Sequence, residues 1–600
     1  MHPPTALDVH VVSHTHWDRE WYHPLGRFRQ RLVALIDELL DDPDWARHPF
    51  LLDGQAVVLD DYLSVRPGRA AALTARLRAG LLEAGPWYVL ADELIPGGEA
   101  LVRNLLTGRR TVRALGGEPP RVLYCPDSFG HPAGLPTLAA GFGLDVAIVW
   151  RGYGGARWPP GDAARWRAPG GDTVVLFHLP PDGYEFGSNL PPDDAGAAPR
   201  WRRMRATLAP RSRLGIVLVQ NGADHHAPQT RLTQALGALD RAAAPDRVRR
   251  GSLSDFARVV RERARSAALP TVEGELRDSY GYAWALQGTF GTRAHQKRRN
   301  AAAERLLVRE SEPWSVVARA AGGADRAELV VTAWRTLLGC HPHDTLCGCS
   351  VDAVARAMDA RLDDAMAQAR GLRDDAVVDV VGHDPVAART HPDAWRPALV
   401  VRNPAPRPRG GVVEVTLESF VADVPVGPSS ASATPVVEAT PPPPPAVRDT
   451  TGAPVAYQQL RARLRQQRTE SPRHYPDNDL VAAHAGVAWI AGVAGYGTAS
   501  FELGAPAAPG SVRPVGAPVP ARGGERWIEN GELRVEAADD GIEVRHRSTG
   551  RSISRAVALE VARDSGDLYT PSISADRTLL AQPESAHVVH AGPLRAELAT

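Results

Sequence analysis

The chain has no surplus of charge of either sign: Lys+Arg and Asp+Glu both total 69 in 600 residues. Proteins that grip nucleic acid or anionic membranes usually carry a basic excess, so neither partner is expected. Long apolar runs are missing too. No stretch reaches the roughly eighteen apolar residues of a membrane span, so none is predicted. The opening MHPPTALDVHVV has no basic region leading into an apolar one, and does not read as a signal peptide. Cysteine is scarce, with four residues in all, and three of them (Cys340, Cys347, Cys349) crowd into one stretch beside histidines. A disulfide framework is therefore not expected, and a reducing cytoplasm is the default location.

What is present is ordinary in bulk. A composition 44% hydrophobic and 23% charged is that of a soluble globular protein. The length suggests about three to five domains. Fourteen tryptophans, several near polar clusters, could serve core packing or stacking on sugar rings. Oligomeric state leaves no readable signal.

Three zones follow one another. Over the first 260 or so residues, short β-branched runs alternate with amphipathic segments. Candidate strands are DVHVV from Asp8, FLLD from Phe50, WYVL from Trp87, RVLYC from Arg121, VAIVW from Val146, TVVLFHL from Thr173 and GIVLVQ from Gly215. RFRQRLVALIDELLDD from Arg27 and EALVRNLLTGRRTVRAL from Glu99 have helical periodicity. Such alternation predicts right-handed βαβ crossovers and a parallel sheet, either closed into a barrel or open and doubly wound. From His295 to about Arg373 the pattern is almost continuous helix, suited to a small bundle. After about Trp395 come strands separated by Gly, Pro and Asn turns, with a Pro-rich exposed loop or linker from Val424 to Pro445. The last residues, GPLRAELAT, read as the middle of a sheet, as if the chain were cut short.

The chemistry concentrates in four clusters. In VVSHTHWDREWYHP, residues two apart on a strand point the same way, so His14, His16 and Asp18 share a face if the strand persists. Ligands bind at the carboxyl ends of parallel strands, and two imidazoles with a carboxylate there suit a divalent metal such as zinc. A hydrogen-bonded strand end with solvated histidines would give the same letters. LYCPDSFGHP puts Asp127, Phe129 and His131 just beyond a second strand, and VLVQNGADHHAP puts Asp224, His225 and His226 beyond a third. All three clusters should then face one mouth. The fourth, GCHPHDTLCGCS, carries His341, His343 and Asp344 in the helical zone. It could fold back over the sheet to add a histidine to the metal. Alternatively Cys340, Cys347, Cys349 and a histidine could form a structural zinc site, although the cysteine spacing is not that of a finger.

HTHWDREW, DSFGH, NGADHH and HPHDTLCGCS, in this order, resemble glycoside hydrolase family 38, the α-mannosidases, with the bacterial, mannosylglycerate hydrolase-like branch nearest. GPWYVLADELIPGGEALVRNLLTGRR and HQKRRN read the same way, so the resemblance covers nearly the whole chain. It implies a multidomain α/β, α and β protein. An α/β-barrel of the seven-stranded type would span 1–268 and a three-helix bundle 269–380. A β-rich domain with the Pro-rich loop would span 381–520, and the start of a C-terminal β-sandwich, truncated, 521–600.

Carried over residue by residue, the resemblance makes His16, Asp18, Asp127 and His343 ligands of one divalent metal, commonly zinc, with other divalent ions open. Asp127 would also be the nucleophile. Trp21 and Phe129 would line the sugar site, Asp344 would accept hydrogen bonds from sugar hydroxyls, and Arg151 would stand near the nucleophile. His14 matches no ligand position and would lie behind the ligands or against substrate. The implied reaction is double displacement on a terminal α-mannoside through a mannosyl-aspartate, which sets the two carboxyls about 5–5.5 Å apart. Asp224 is the choice for acid/base, with Asp92 or Glu93 as substitutes. Rival readings are a metal-dependent carbohydrate deacetylase or amidohydrolase, and an inert sugar-binding protein, which the presence of both Asp127 and Asp224 disfavours. Linkage and leaving group, whether oligomannose, an N-glycan arm or glycerate, are not legible.

Overall fold

The computed structural model describes residues 6–279, 281–384, 387, 397–424, 440–470, 475–505 and 519–600. It divides into two compact units, residues 1–377 with 564–572, and residues 378–563 with 573–600.

The first unit begins with alternating strands and helices. Its strands are β1 (Asp8–Ser13), β2 (Phe50–Leu51), β3 (Leu82–Glu83), β4 (Leu123–Cys125), β5 (Val146–Val149), β6 (Ala163–Arg167), β7 (Thr173–His178), β8 (Ile216–Asn221), β9 (Arg247–Arg250) and β10 (Thr271–Glu273). Hydrogen bonding groups them in the orders β8-β1-β9, β10-β6-β7-β5-β4 and β2-β3. All pairs are parallel except β6 with β7. The expected parallel sheet thus contains two reversed strands, β6, which forms a hairpin with β7, and β10 beside it, which the β-branched pattern did not reveal. WYVL is not a strand; Trp87 makes only an isolated bridge to Gln55.

The side chains explain why these short strands hold together. Val9 and Val11 of β1 pack outward on Phe28, Leu32, Leu35 and Ile36 of the helix Leu25–Asp41. Val12 points the other way, into a core shared with Leu51, Tyr124, Ile148, Phe177 and Leu218. Strands of all three sheets therefore line one interior, and β1 is apolar on both faces because both are covered. Full burial is worth about 1.5–3 kcal/mol for each large apolar side chain, which outweighs the few ladder bonds of a two-residue strand.

The helical zone of the same unit contains Ala294–Leu306, a π-helical turn Leu307–Ser311, Glu312–Ala320, Ala327–Leu338, the short His343–Cys347, and Asp352–Val381. Leu306, Val330, Trp334, Leu337, Met358 and Leu362 form its core. No helix among the described residues is long and apolar enough to cross a membrane.

The second unit is made of antiparallel sheets. Asp477–Val493 pairs with Arg409–Asp423 on one side and Tyr457–Thr469 on the other. Thr498–Gly504 pairs with Ala398–Arg402 and Ala446–Arg448. Val415, Leu417, Ile490, Val447 and Phe501 join these two sheets in one apolar core. A five-stranded antiparallel sheet runs from Arg522 to Ile553. Of the Pro-rich segment, Val424 and residues 440–445 are described and have no regular structure; the rest of it lies outside the described residues.

Candidate active site

The interior strands end in acids and imidazoles. β1 leaves its ladder at Ser13, yet the alternation persists, because His14 bridges Leu51 and His16 bridges Asp224. His14, His16 and Asp18 are all buried. His16 Nε2 lies 3.2 Å from Asp18 Oδ1, and His343 Nε2 lies 3.2 Å from the same oxygen. None of these three buried atoms has a hydrogen-bond partner. Two imidazole nitrogens and a carboxylate oxygen, buried and gathered without hydrogen-bond partners, are a donor set that a cation can satisfy, so His16, Asp18 and His343 fit a divalent metal. Asp127 is not in that group of three, but its Oδ2 stands 3.5 Å from His343 Nε2.

An oxygen stands behind each imidazole. His343 Nδ1 bonds to the Leu90 carbonyl at 3.1 Å, leaving Nε2 for the site. His16 Nδ1 faces Asp53 Oδ2 at 3.1 Å. Asp53 in turn accepts from the Trp17 amide at 2.9 Å and from Gln55 at 3.1 Å. A carboxylate behind a ligating imidazole fixes its tautomer and raises its basicity. Asp53 is held at a φ of 109°, a conformation costing about 1–3 kcal/mol for a residue with a Cβ. Asp53→Asn is expected to weaken divalent metal binding about 10–100-fold, read by competition with a chromophoric chelator. Unchanged affinity would mean that Asp53 does not serve the imidazole.

Arg151 closes the other side. Its guanidinium donates to Asp127 Oδ1 at 2.6 Å and to the Trp284 carbonyl at 2.8 Å. It lies over the Trp150 ring at 4.1 Å and the Phe129 ring at 5.7 Å. Phe129 meets the His343 ring edge-on at 5.2 Å. Burial opposes the Asp127 charge, but Arg151, His343 and His16 outweigh it and hold the carboxyl below its usual range. Asp224 behaves oppositely. Burial, aided by Asp18 and Asp127 against His16, pushes it up to about 7. Tyr184 lines the same cavity, and the buried Oδ1 of Asp224 has no partner. One carboxyl kept ionised and one kept protonated near neutrality is the division of labour of a general acid paired with a nucleophile.

Other predicted residues take different places. His14 Nε2 donates to the Tyr184 carbonyl, 2.9 Å away, and burial lowers its pKa to about 4, so it is a neutral brace behind the site. Asp344 is buried with Oδ2 3.5 Å from His343 Nε2. Trp21 packs edge-on against Tyr22 and on the outer core, and its carbonyl accepts from Val351; no contact joins its ring to the His16 group. His225 stacks on Phe28 at 4.2 Å, and His226 is exposed. His341 turns away to Asn300 at 2.8 Å. Asp92 caps the amides of Leu94 and Ile95, and Glu93 holds His131 at 2.8 Å. Both alternative acids are thus engaged in local structure. The rival zinc site does not assemble as read: Cys340 lies in the helical core with its thiol on the Thr336 carbonyl.

The motif glycine Gly222 has a packing reason. A Cβ there would stand 1.8 Å from the His14 carbonyl oxygen. Gly222→Ala is expected to cost about 1–3 kcal/mol or more by forcing β1 and β8 apart, measured as a shift in denaturant midpoint. An unshifted midpoint would show that the two strand ends can yield.

Comparison with known proteins agrees with this geometry. The model of the glycosyl hydrolases family 38 N-terminal domain matches residues 6–275, and that of the alpha mannosidase middle domain matches residues 285–380. The chain belongs to glycosyl hydrolases family 38. A relative from Halalkalibacterium halodurans, named "Putative mannosylglycerate hydrolase", is 32% identical over 59% of this chain and 41% of its own length. Human "Alpha-mannosidase 2C1" is 24% identical over 69% of this chain and 39% of its own length. An alpha-mannosidase of known structure from Enterococcus faecalis superposes with a TM-score of 0.83 at 25% identity, covering 99% of this chain and 67% of that one. The chain therefore spans about two fifths of the length of these curated relatives.

Proposed function

We propose that the chain is a metal-dependent retaining α-mannosidase acting on terminal α-mannosides. The observation that carries this reading is the buried, unpartnered His16–Asp18–His343 group with the Asp127 carboxylate beside it, at a cavity whose wall holds the half-buried Asp224. His16, Asp18 and His343, with Asp127 beside them, would hold a divalent cation, zinc being the ion that this nitrogen and oxygen set suits. When bound, the cation supplies Lewis-acid charge that grips vicinal sugar hydroxyls.

The protein residues do the rest. Arg151 holds Asp127 Oδ1 and keeps the carboxylate ionised and aimed. Asp127 attacks the anomeric carbon, and Asp224 protonates the departing oxygen as that bond breaks. Asp224, now ionised, takes a proton from water, which displaces Asp127 and restores both groups. Tyr184 shares the cavity wall with Asp224, Phe129 walls the sugar site, and Asp344 accepts hydroxyl hydrogen bonds. Trp21 remains a candidate aromatic wall on resemblance alone.

The name of the Halalkalibacterium relative suggests glycerate as one leaving group. The cavity beside Asp224 is about 1400 Å³ and is lined by Trp150, Arg151, Tyr184, Tyr282 and Trp284 among others. That is room for a leaving group larger than glycerate, so mannosylglycerate and a mannobioside belong in one assay. The deciding experiment incubates chelator-stripped, metal-reloaded protein with an aryl α-mannoside and follows the first-released anomer by NMR. Metal-dependent α-mannose supports the reading. First-formed β-mannose overturns retention, acetate or amine release from acylated sugars points to a deacetylase, and binding without product points to a lectin.

A further inference from the structure

Beside the proposed catalytic group lies a second cluster of metal-binding atoms that the mechanism does not use. Asp344, Cys347 and Cys349 bring one carboxylate oxygen and two sulfurs within 4.8 Å of one another. They come from the short helix His343–Cys347 and the residues just after it, where Gly348 at φ 90° reverses the backbone. The reversal sets both thiols on one side. Cys349 Sγ lies 3.0 Å from Asp344 Oδ1, and the Cys349 amide lies 3.4 Å from Cys347 Sγ. Both sulfurs also sit 3.8 Å from the Asp344 carbonyl. Cys347 is fully buried, whereas Cys349 is partly exposed, which leaves a route from solvent.

We propose that Asp344, Cys347 and Cys349 form a second cation site, selective for thiophilic d10 ions such as zinc or cadmium, whose occupation shuts the enzyme off. The ligand set is softer than that of the His16 group, since two sulfurs favour such ions over magnesium, calcium or manganese. The charge fits as well. Two thiolates and a carboxylate against a divalent cation leave one negative charge, and Lys297 interacts electrostatically with both cysteines while donating to the Cys347 carbonyl at 2.9 Å. Phe129, Leu286 and Ile95 pack around the sulfurs, and an apolar surround excludes competing water. Binding is balanced: two S–H bonds break, two metal–sulfur bonds form and two protons leave to solvent.

The consequence for activity rests on the reading of Asp344 as a sugar-hydroxyl acceptor. Its two oxygens face different ways, Oδ1 to Cys349 and Oδ2 to His343 Nε2. A cation on the sulfurs claims Oδ1 and places positive charge beside the catalytic group. Excess thiophilic metal is therefore inhibitory, although the enzyme depends on a metal.

The test titrates zinc-loaded protein with Cd²⁺ while following thiolate-to-cadmium ultraviolet charge transfer, bound cadmium and zinc, proton release and mannosidase rate. The expected result is one cadmium per chain beyond the retained zinc, with the charge-transfer band and the loss of rate rising together and both reversed by a dithiol chelator. Cys349→Ser, whose hydroxyl can still donate to Asp344, and Cys347→Ala should each lose the band and resist inhibition. Cadmium binding without the band, or variants inhibited like the parent, would overturn the site. So would two thiols that become reactive only after reduction, which would mark a disulfide instead. If the chain proves to have no mannosidase rate, the band and the released protons still decide the site separately from that failure.

Discussion

Asp127→Asn is expected to lower turnover on an aryl α-mannoside by about 10⁴–10⁶-fold, or about 5–8 kcal/mol of transition-state stabilisation. The variant is nearly isosteric, so fold and sugar binding should survive. An amide cannot form the covalent mannosyl link, and it answers the Arg151 guanidinium with a neutral oxygen in place of the charge now 2.6 Å away. Metal binding should weaken without vanishing, because the three converging atoms belong to His16, Asp18 and His343. The companion Asp127→Ala opens space in front of Arg151. Azide entering there would attack from the face that the carboxylate used, and β-mannosyl azide should accumulate. A variant retaining more than about a hundredth of the parent rate, or an azide product of the α configuration, would remove Asp127 from the role of nucleophile.

The parts legible in the sequence are those governed by local periodicity. The helix Leu25–Asp41 declared itself by its apolar stripe, and the helices of residues 294–381 did likewise. The H-x-H-x-D alternation correctly put His14, His16 and Asp18 on one side, because the chain stays extended for several residues past Ser13. It could not tell a ligand from a brace. His14 and His16 share a face, and only the third dimension shows that Tyr184 stops the one while His343 meets the other. Asp53 was within reach of the same reasoning that found Asp127 and Asp224, since it too follows a strand's carboxyl end in FLLD. Tyr184 was not, because it stands in a turn several residues past β7, with no spacing to mark it. The short β6, β9 and β10 also escaped: β9 and β10 pair with strands distant in the chain, and the alanines and arginines of β6 do not announce its hairpin with β7. Likewise the cysteine spacing suggested a site that included Cys340. The helix Ala327–Leu338 carries that thiol into an apolar core and leaves Asp344 to take its place among the sulfurs.

The pH profile of kcat/KM should be bell-shaped, with an alkaline limb that Asp224 sets. The sign follows from the role. An acid must carry its proton to give it, so activity is full below the pKa of Asp224 and falls as pH rises through it. Burial holds that pKa at about 7. His16 acts on it downward, and a cation held by His16, Asp18 and His343 would act in the same direction, so about 7 is an upper bound for the limb. On the acid side activity is lost as Asp127 gains its proton, and Arg151 displaces that limb below the ordinary carboxylate range. Asp224→Asn is expected to slow hydrolysis of an alkyl or sugar α-mannoside about 10²–10⁴-fold and to flatten the alkaline limb. A dinitrophenyl mannoside, whose leaving group needs no proton, should lose far less in the first step. With that substrate the mannosyl-enzyme should accumulate, because the variant also lacks the base for water. An alkaline limb that survives in Asp224→Asn would transfer the acid role, with Asp92 next in line. That carboxyl is also raised by burial, to about 6, yet one of its oxygens already accepts from two backbone amides. Asp224 lines the cavity and Asp92 does not, which is why the limb is assigned to Asp224.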